Sequence, residues 1–236
     1  MISHEPIDTV VLDVDGTLVD SNYQHAIAWF RAFRRYDVTV QIWQVHRALG
    51  KGGDLLVAHV AGDEVEAQHG EHLRAAWEEE FEPMRHEVRP LAGVTDLLRS
   101  VKRRGVRLVL TSSGKAEHVD ALIDLIDGRS VADSWTTSDD VEKSKPDLEL
   151  LLTALDQVGG RRGLVVGDAT WDARAAWRAG LPAVAVLTGA SPIMSCAMPV
   201  PSTSSTRSTT CAKPSNVARS MPSASARPSR HGAPVR

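Results

Sequence analysis

Residues 10–21 read Val-Val-Leu-Asp13-Val-Asp15-Gly16-Thr17-Leu-Val-Asp-Ser and carry more information than any other part of the chain. The apolar, mostly β-branched residues before Asp13 predict a buried strand, and Gly16 permits the tight turn that brings Asp15 back over the strand's carboxyl end. Two carboxylates then converge, and each raises the pKa of the other unless a proton or a cation relieves the repulsion. Magnesium suits such a pair because it prefers carboxylate oxygens. An acidic turn without function is the competing interpretation.

The rest of the first 190 residues alternates short apolar runs with helical patterns. The runs lie at residues 9–13, 106–111, 163–167 and 183–187. The helical patterns between them lie at residues 94–104, 146–158 and 171–179. Apolar runs of this length are typical of strands buried on both faces of a parallel sheet. The alternation predicts an α/β fold with a doubly wound parallel sheet, whose ligands bind beyond the carboxyl ends of the strands.

One segment interrupts this alternation, because residues 21–83 contain helical patterns and no convincing strand. These patterns lie at residues 23–35, 42–49, 54–60 and 64–81. We interpret residues 19–87 as a small inserted helical domain, the cap, and residues 1–18 and 88–190 as the α/β core.

Three further motifs follow predicted strands or open predicted helices. Thr111 and Ser112 begin a hydroxyl-rich turn, Lys145 directly precedes a helix that we predict to start at Pro146, and Asp168 and Asp172 follow a strand that ends in glycine. Hydroxyl groups and backbone N–H groups at a helix start bind phosphoryl oxygens well, and the two acids are further metal-ligand candidates. Each motif also has a structural interpretation as a helix cap or helix start, so each is weak alone.

Taken in order, these motifs resemble the four motifs of the haloacid dehalogenase-like superfamily over residues 8–190. The helical insert resembles the small cap of the phosphoglycolate phosphatase and β-phosphoglucomutase branch. The resemblance implies that Asp13 attacks phosphorus and forms a phosphoaspartate, while Asp15 moves protons to the leaving group and from the attacking water. It implies that Thr111 and Lys145 hold the phosphoryl oxygens. The Mg²⁺ ligands it implies are Asp13, the backbone carbonyl of Asp15 and Asp168, with Asp172 either ligating the ion or orienting the ligands from nearby.

The intact pair of acids also helps to choose the reaction. In true haloacid dehalogenases the position of Asp15 is not acidic and no metal is used, so the resemblance favours a Mg²⁺-dependent phosphatase of a small phosphorylated metabolite. A sugar-phosphate mutase is the alternative, because His25 stands where β-phosphoglucomutases carry a cap histidine. A catalytically impaired protein that only binds phosphate is the second alternative. We expect His25, Lys51, Gly52 and Ser112 to contact the substrate, although a solvated lysine and a helix-face histidine are equally simple interpretations.

The composition excludes several classes of protein. The chain has 236 residues, of which 42% are hydrophobic and 24% charged, which is enough for a sizeable core. It contains no apolar run long enough to span a membrane and no secretory signal pattern, and two cysteines, Cys196 and Cys211, fit a reducing cytoplasm. We therefore expect a cytoplasmic protein without a membrane or nucleic-acid partner.

The last 46 residues are a different kind of sequence. Residues 1–190 carry a net charge of −9, whereas residues 191–236 carry +6, contain no acid and are rich in proline and serine. This composition predicts a disordered tail, either natural or produced by a shift of the reading frame near residue 189. Its charge comes without aromatic residues for base stacking, which is why we do not predict nucleic-acid binding. Because the family normally continues with another strand and helix, we expect an exposed strand edge and reduced solubility.

Overall fold

A computed structural model describes residues 6–189 and the backbone of residues 209–212. The strands are β1 (Thr9–Asp13), β2 (Val19–Asp20), β3 (Arg89–Pro90), β4 (Arg107–Thr111), β5 (Ser134–Thr136), β6 (Gly163–Gly167), β7 (Ala183–Val186) and β8 (Thr209–Ala212). The helices are α1 (Asn22–Arg35), α2 (Ile42–Ala48), α3 (Gly53–Ala61), α4 (Asp63–Phe81), α5 (Val94–Arg103), α6 (Ala116–Leu125), α7 (Gly128–Val131), α8 (Glu149–Gln157) and α9 (Thr170–Ala179). Short 3-10 helices span Glu82–Glu87 and Ser138–Asp140.

The main sheet is parallel, with the strand order β5-β4-β1-β6-β7-β8. Strand β1 lies in its interior, between β4 and β6, and Asp13 is in register with Thr111. Because neighbouring parallel strands end at the same edge, the loops after β1, β4 and β6 converge there. The predicted fold class is confirmed.

The core packs on both faces of this sheet. Val11, Val109 and Val165 face α8 and α9, where Leu151 and Ala175 contact them. The alternate strand residues, which include Leu108 and Leu110 of β4, face the other way. They pack with Leu98 of α5 and with Leu122 and Ile123 of α6. Burying one leucine or isoleucine side chain contributes about 2 kcal/mol, so this two-sided packing fixes the strand ends that carry the polar motifs.

Helices α1–α4 form the cap and have a hydrophobic cluster of their own. Its largest buried members include Trp29 and Phe33 from α1, Leu56 from α3 and Leu73 from α4. Two linkers connect the cap to the core, and they lie side by side. Strand β2 in the first linker pairs antiparallel with β3 in the second, which places Val19 opposite Pro90. The cap therefore leaves the core and returns to it at one place, beside the end of β1.

The structure differs from the sequence analysis in three places. The helix that we predict to start at Pro146 begins at Glu149, because the Asp147 carboxylate accepts a hydrogen bond from the Glu149 N–H and holds the preceding residues in a turn. The sequence analysis does not predict helices α6 and α7 or strands β2, β3 and β5. Four residues of the tail form β8, which pairs with β7, so the expected unpaired edge at β7 is wrong. The rest of residues 190–236 lies outside the described part of the chain.

Among the described residues, no helix has the length and apolar character needed to cross a membrane.

Candidate active site

Three carboxylates that are distant in sequence meet at the carboxyl edge of the sheet. Asp13 is the last residue of β1, Asp168 follows β6 and Asp172 lies in the first turn of α9. One oxygen of each carboxylate lies within 4.8 Å of the others, and all three residues are buried. The adjacency of β1 and β6 brings them together, since both strands end at this edge.

Lys145 is the cation of this cluster. Its side chain is 1% exposed, and its ammonium forms ion pairs with Asp13 and with Asp172, the second at 2.7 Å. Burial by itself lowers the pKa of Lys145, but the charges of Asp13 and Asp172 outweigh burial and raise that pKa above its usual value. Lys145 is therefore a fixed positive charge beside Asp13.

Asp13 also feels the charges of the two neighbouring carboxylates. Burial and the charges of Asp172 and Asp168 raise the pKa of Asp13 well above its usual value, even though Lys145 acts in the opposite direction. Buried negative charge that is not neutralised is costly, and a divalent cation with carboxylate ligands relieves it. The donor set of Asp13, Asp168 and Asp172 therefore fits a magnesium ion.

Two side chains that the sequence analysis did not select hold these carboxylates in place. The Thr17 hydroxyl lies 3.0 Å from Asp13 Oδ2 and 3.2 Å from Asp168 Oδ1. The Asn22 amide, at the start of α1, donates a hydrogen bond of 2.9 Å to Asp168 Oδ2. Position 16 requires glycine, because its backbone has φ +74° and a Cβ there would lie 2.2 Å from Asn22 Nδ2. The sequence could have indicated Thr17, because Thr17 belongs to the first motif. No pattern in the sequence indicates a role for Asn22.

Asp15 is held apart from this cluster by three other side chains. Ser21 and Ser112 each donate a hydrogen bond of 2.8 Å to its carboxylate, and His25 Nε2 lies 3.1 Å from Asp15 Oδ1. Burial alone raises the pKa of Asp15, but the hydrogen bonds from these side chains and the charge of His25 lower it to about 2. Asp15 is therefore a carboxylate at neutral pH in this conformation.

The other residues that we expected to contact substrate lie around the same edge. Thr111 is buried next to Asp13, and its hydroxyl lies 3.5 Å from the Leu12 carbonyl oxygen. Lys51 places its ammonium over the Trp171 ring, 4.1 Å from the centroid. The Gly52 N–H donates a hydrogen bond of 3.1 Å to the Ser144 hydroxyl, next to Lys145. The cap loop with Lys51 and Gly52 thus rests directly on the core loops that carry the motifs.

A cavity of about 260 Å³ lies between the cap and this edge of the core. Asp13 and Asp15 line it from the core, and His25 and Lys51 line it from the cap. The cap also contributes Trp29, Trp77 and Arg74, which the sequence analysis missed. A single tryptophan in a helix looks like an ordinary core residue, and a single arginine looks like an ordinary surface residue.

The comparison with protein families agrees with this arrangement. A family model described as haloacid dehalogenase-like hydrolase matches residues 7–180. The chain belongs to this family. The matched region includes Asp13, Lys145 and both later aspartates, so it contains the motifs from which the sequence analysis drew its resemblance.

Several curated proteins resemble this haloacid dehalogenase-like hydrolase. The validoxylamine A 7'-phosphate phosphatase of Streptomyces hygroscopicus subsp. limoneus is 27% identical over 187 residues, 75% of this chain and 84% of the relative. The phosphoglycolate phosphatase of Caulobacter vibrioides is 27% identical over 192 residues, which cover 77% of this chain and 79% of the relative. The (S)-2-haloacid dehalogenase of Pseudomonas sp. strain YL is 34% identical over 95 residues, but these cover only 39% of this chain and 41% of the relative.

A solved structure of a hydrolase from Pseudomonas syringae superposes on this haloacid dehalogenase-like hydrolase with a TM-score of 0.74 and 28% identity. The alignment covers 79% of this chain and 88% of that one. The predicted family and its capped branch are confirmed.

Proposed function

We propose that this protein is a Mg²⁺-dependent phosphatase that hydrolyses a small phosphorylated metabolite through a phosphoaspartate on Asp13. The observation that carries the proposal is the buried cluster in which Asp13, Asp168 and Asp172 lie within 4.8 Å of one another beside Lys145. The relatives named as phosphatases match about three quarters of the chain and support the same reaction.

In the first step an Asp13 oxygen attacks phosphorus, the bond from phosphorus to the ester oxygen breaks, and Asp15 gives a proton to the leaving alkoxide. In the second step water attacks the phosphoaspartate, Asp15 takes its proton, and inorganic phosphate leaves with Asp13 restored. Lys145 stabilises the negative charge of the transferring group throughout. A magnesium ion held by Asp13, Asp168, Asp172 and the Asp15 carbonyl supplies further neutralisation of that charge when it is bound.

The remaining residues serve this scheme as binding groups. Thr111 and Ser112 hold phosphoryl oxygens, and Asp15 exchanges its hydrogen bonds with Ser112 and His25 for the leaving oxygen when it acts as an acid. His25, Lys51 and Gly52 contact the leaving group. In this proposal residues 19–87 are a cap over a core of residues 1–18 and 88–190, and the enzyme acts in the cytoplasm.

A generic aryl phosphate, p-nitrophenyl phosphate, tests the proposal. The protein is assayed with and without Mg²⁺ beside Asp13→Asn and beside Asp20→Asn, whose exposed carboxylate lies on β2. We expect phosphate release that needs Mg²⁺, is lost in Asp13→Asn and is unchanged in Asp20→Asn. Equal rates in Asp13→Asn and the unchanged protein would show that Asp13 is not the nucleophile.

A sugar-phosphate mutase is the second candidate, because His25 stands where β-phosphoglucomutases carry a cap histidine, and it contacts Asp15. Incubation with β-glucose 1-phosphate and its bisphosphate tests it. Formation of glucose 6-phosphate faster than release of inorganic phosphate would favour the mutase. The partial match to a dehalogenase adds L-2-chloropropionate as a third arm, and we expect no chloride release from it.

A further inference from the structure

Ser144, the residue directly before Lys145, is hydrogen-bonded to the cap through its side chain. It is 4% exposed, and its hydroxyl accepts a hydrogen bond of 3.1 Å from the Gly52 N–H. The same hydroxyl donates a hydrogen bond to Asp54 Oδ1. Gly52 directly precedes α3, and Asp54 lies in the first turn of that helix. A hydroxyl has one hydrogen to donate, so Ser144 commits that hydrogen to a carboxylate of the cap.

Cap and core approach so closely here that position 52 has no room for a side chain. A Cβ on Gly52 would lie 2.5 Å from the Ser144 Cβ and 2.4 Å from Asp54 Oδ1. The backbone of Gly52 has φ −68°, which any residue adopts, so the neighbouring atoms and not backbone strain exclude a larger residue. The start of α3 therefore rests directly on the core loop that contains Ser144.

This core loop is held from the other side by α8. Glu149, the first residue of α8, accepts hydrogen bonds of 3.1 Å from the N–H groups of Glu142 and Lys143. These two bonds hold the loop up to Lys143, and the next residue is the one that contacts the cap. Core and cap thus support consecutive residues directly before Lys145.

The position of Lys145 depends on this support. Its side chain is 1% exposed, and its ammonium forms ion pairs with Asp13 and, at 2.7 Å, with Asp172. The Cα atoms of adjacent residues are about 3.8 Å apart, so a shift of Ser144 is passed to the Lys145 backbone through a single peptide unit. Misplacing a group in an active site by about 1 Å can slow a reaction roughly 100-fold.

We propose that Asp54 of the cap is a positioning residue for Lys145 and acts on it through the Ser144 hydroxyl. The inference rests on the proposed phosphatase function, in which Lys145 stabilises the charge of the transferring phosphoryl group. Every phosphate ester presents the same phosphoryl group to Lys145, so the contribution of Asp54 is the same for every leaving group. Asp54 and Ser144 also line the cavity, so the experiment has to separate this role from direct contact of Asp54 with the leaving group.

Two esters with different leaving groups, p-nitrophenyl phosphate and acetyl phosphate, test the role of Asp54. Nitrophenolate and acetate differ in size and shape, and both leave without a proton. In the presence of Mg²⁺, Asp54→Ala should lower kcat/KM about 10-fold for each ester, and the two factors should agree within about 2-fold. Glu71→Ala removes an exposed carboxylate of α4 and is the control that should leave both values unchanged.

Asp54→Asn separates the hydrogen bond from the charge. Asparagine keeps a carbonyl oxygen that accepts the hydrogen bond from Ser144, so this variant should stay within about 2-fold of the unchanged protein. Asp54→Asn and Asp54→Ala both remove the charge from the first turn of α3, so the difference between them measures the hydrogen bond.

Ser144→Ala tests the path from Asp54 to Lys145. It should lower kcat/KM as much as Asp54→Ala does, and the double variant should be no slower than the slower single variant, because both changes remove the same link. Thermal unfolding followed by circular dichroism checks that the variants are folded. If Ser144→Ala does not fold, the comparison of Asp54→Ala with Asp54→Asn decides.

Four results would overturn the inference and leave the phosphatase proposal standing. These are an unchanged kcat/KM in Asp54→Ala, equal losses in Asp54→Ala and Asp54→Asn, unequal losses for the two esters, and losses that multiply in the double variant. Unequal losses would make Asp54 a contact of the leaving group. If the unchanged protein releases no phosphate from either ester in an Asp13-dependent way, the phosphatase proposal fails and the inference fails with it.

Discussion

Asp15 is the residue whose present contacts and proposed role differ most. Its pKa of about 2 is set by hydrogen bonds from Ser21, His25 and Ser112 that outweigh burial. Asp15 is therefore ionised at neutral pH, as a base must be, but its lowered pKa makes it a weaker base than an ordinary aspartate. To donate a proton to a leaving group, Asp15 has to give up these hydrogen bonds, because they favour its charged form.

Asp15→Asn should separate the two proton transfers. Nitrophenolate leaves without a proton, so this variant still permits phosphorylation of Asp13, whereas hydrolysis of the phosphoaspartate lacks its base. We expect a burst of about one p-nitrophenolate per site, followed by turnover slowed roughly 100- to 10,000-fold. Stopped-flow absorbance measures both phases. A linear time course at the unchanged rate would exclude Asp15 from proton transfer.

Asn22 connects the first turn of the cap to the proposed metal site through its 2.9 Å hydrogen bond to Asp168. Removing a partner that orients a metal ligand typically changes the affinity roughly 10- to 100-fold. Asn22→Ala should therefore raise the Kd for Mg²⁺ by roughly 10-fold, as measured by isothermal titration calorimetry. Gln68→Ala, on an exposed part of α4, is the control. An unchanged Kd in Asn22→Ala would mean that Asp168 needs no support from α1.

At the scale of elements, the loop between α2 and α3 decides how closely the cap meets the core. Ser113 donates a hydrogen bond of 3.2 Å to the Gly50 carbonyl, and Gly50 has φ +90°. A Cβ on Gly50 would lie 2.7 Å from the Ala169 Cβ in the loop that follows Asp168. The absence of a side chain at Gly50 therefore permits the contact between the two domains.

Gly50→Ala should push this loop away from the core and lower kcat/KM roughly 10- to 100-fold, because small displacements of positioning groups have effects of that size. Gly62→Ala is the matched control, since Gly62 has φ +93° and a Cβ there meets nothing within 4 Å. Both variants have strained backbones that cost about 1–3 kcal/mol of stability. Thermal melts and steady-state kinetics compare them, and equal kinetics in the two variants would contradict the role of this contact.

Asp8 connects two strands of the core through its carboxylate. It accepts hydrogen bonds from the backbone N–H groups of Arg161 and Arg162, at 3.2 and 3.1 Å, at the entrance to β6. Burial raises the pKa of Asp8, but the hydrogen bonds from Arg162, Thr9 and Arg161 outweigh it and lower the pKa below the ordinary 3.8. The ionised carboxylate thus stabilises the folded state at pH values above about 3.8.

This contribution disappears as the pH falls through the lowered pKa of Asp8 in the folded protein. Asp8→Asn should therefore be less stable than the unchanged protein by about 1–2 kcal/mol near neutral pH, and the difference should shrink below pH 3.8. Urea unfolding followed by circular dichroism at about pH 7, 5 and 3.5 measures it. A difference that stays constant over this range would show that the charge of Asp8 has no part in it.

At the scale of the whole molecule, the outer edge of the sheet depends on four residues of the unusual tail. Strand β8 pairs with β7 in parallel, with Ala183 opposite Thr209 and Val186 opposite Ala212. This pairing uses backbone groups, so it needs no apolar side-chain period of the kind that sequence patterns reveal. Without β8, the N–H and C=O groups of β7 would form an open edge.

A chain that ends at residue 189 should therefore unfold at a lower temperature and associate as its concentration rises. A chain that ends at residue 220 keeps β8 and is the control. Thermal unfolding and sedimentation velocity compare both with the full chain. Identical behaviour of the two truncated chains would mean that β8 does not protect the sheet edge.

The sequence by itself determined the fold class, the cap and the set of acidic motifs. Short apolar runs in the sequence indicate the strands of an α/β sheet. Because neighbouring parallel strands end at a common edge, the sequence predicts that Asp13 and Asp168 lie close together although they are distant in the chain. The helices of the cap were predicted to within a residue or two, because their apolar residues recur with helical spacing.

Only the tertiary structure decided which side chains surround the motifs. The contact of Ser112 with Asp15, the hydrogen bond of Asn22 to Asp168 and the pairing of Arg74 with Glu66 depend on how loops and helices meet in space. Such contacts leave no periodic trace in the chain, since one polar side chain in a loop or helix looks the same with or without a distant partner. The start of α8 and strand β8 could not be predicted for the same reason. A local hydrogen bond to Asp147 sets the start of α8, and backbone pairing with β7 forms β8.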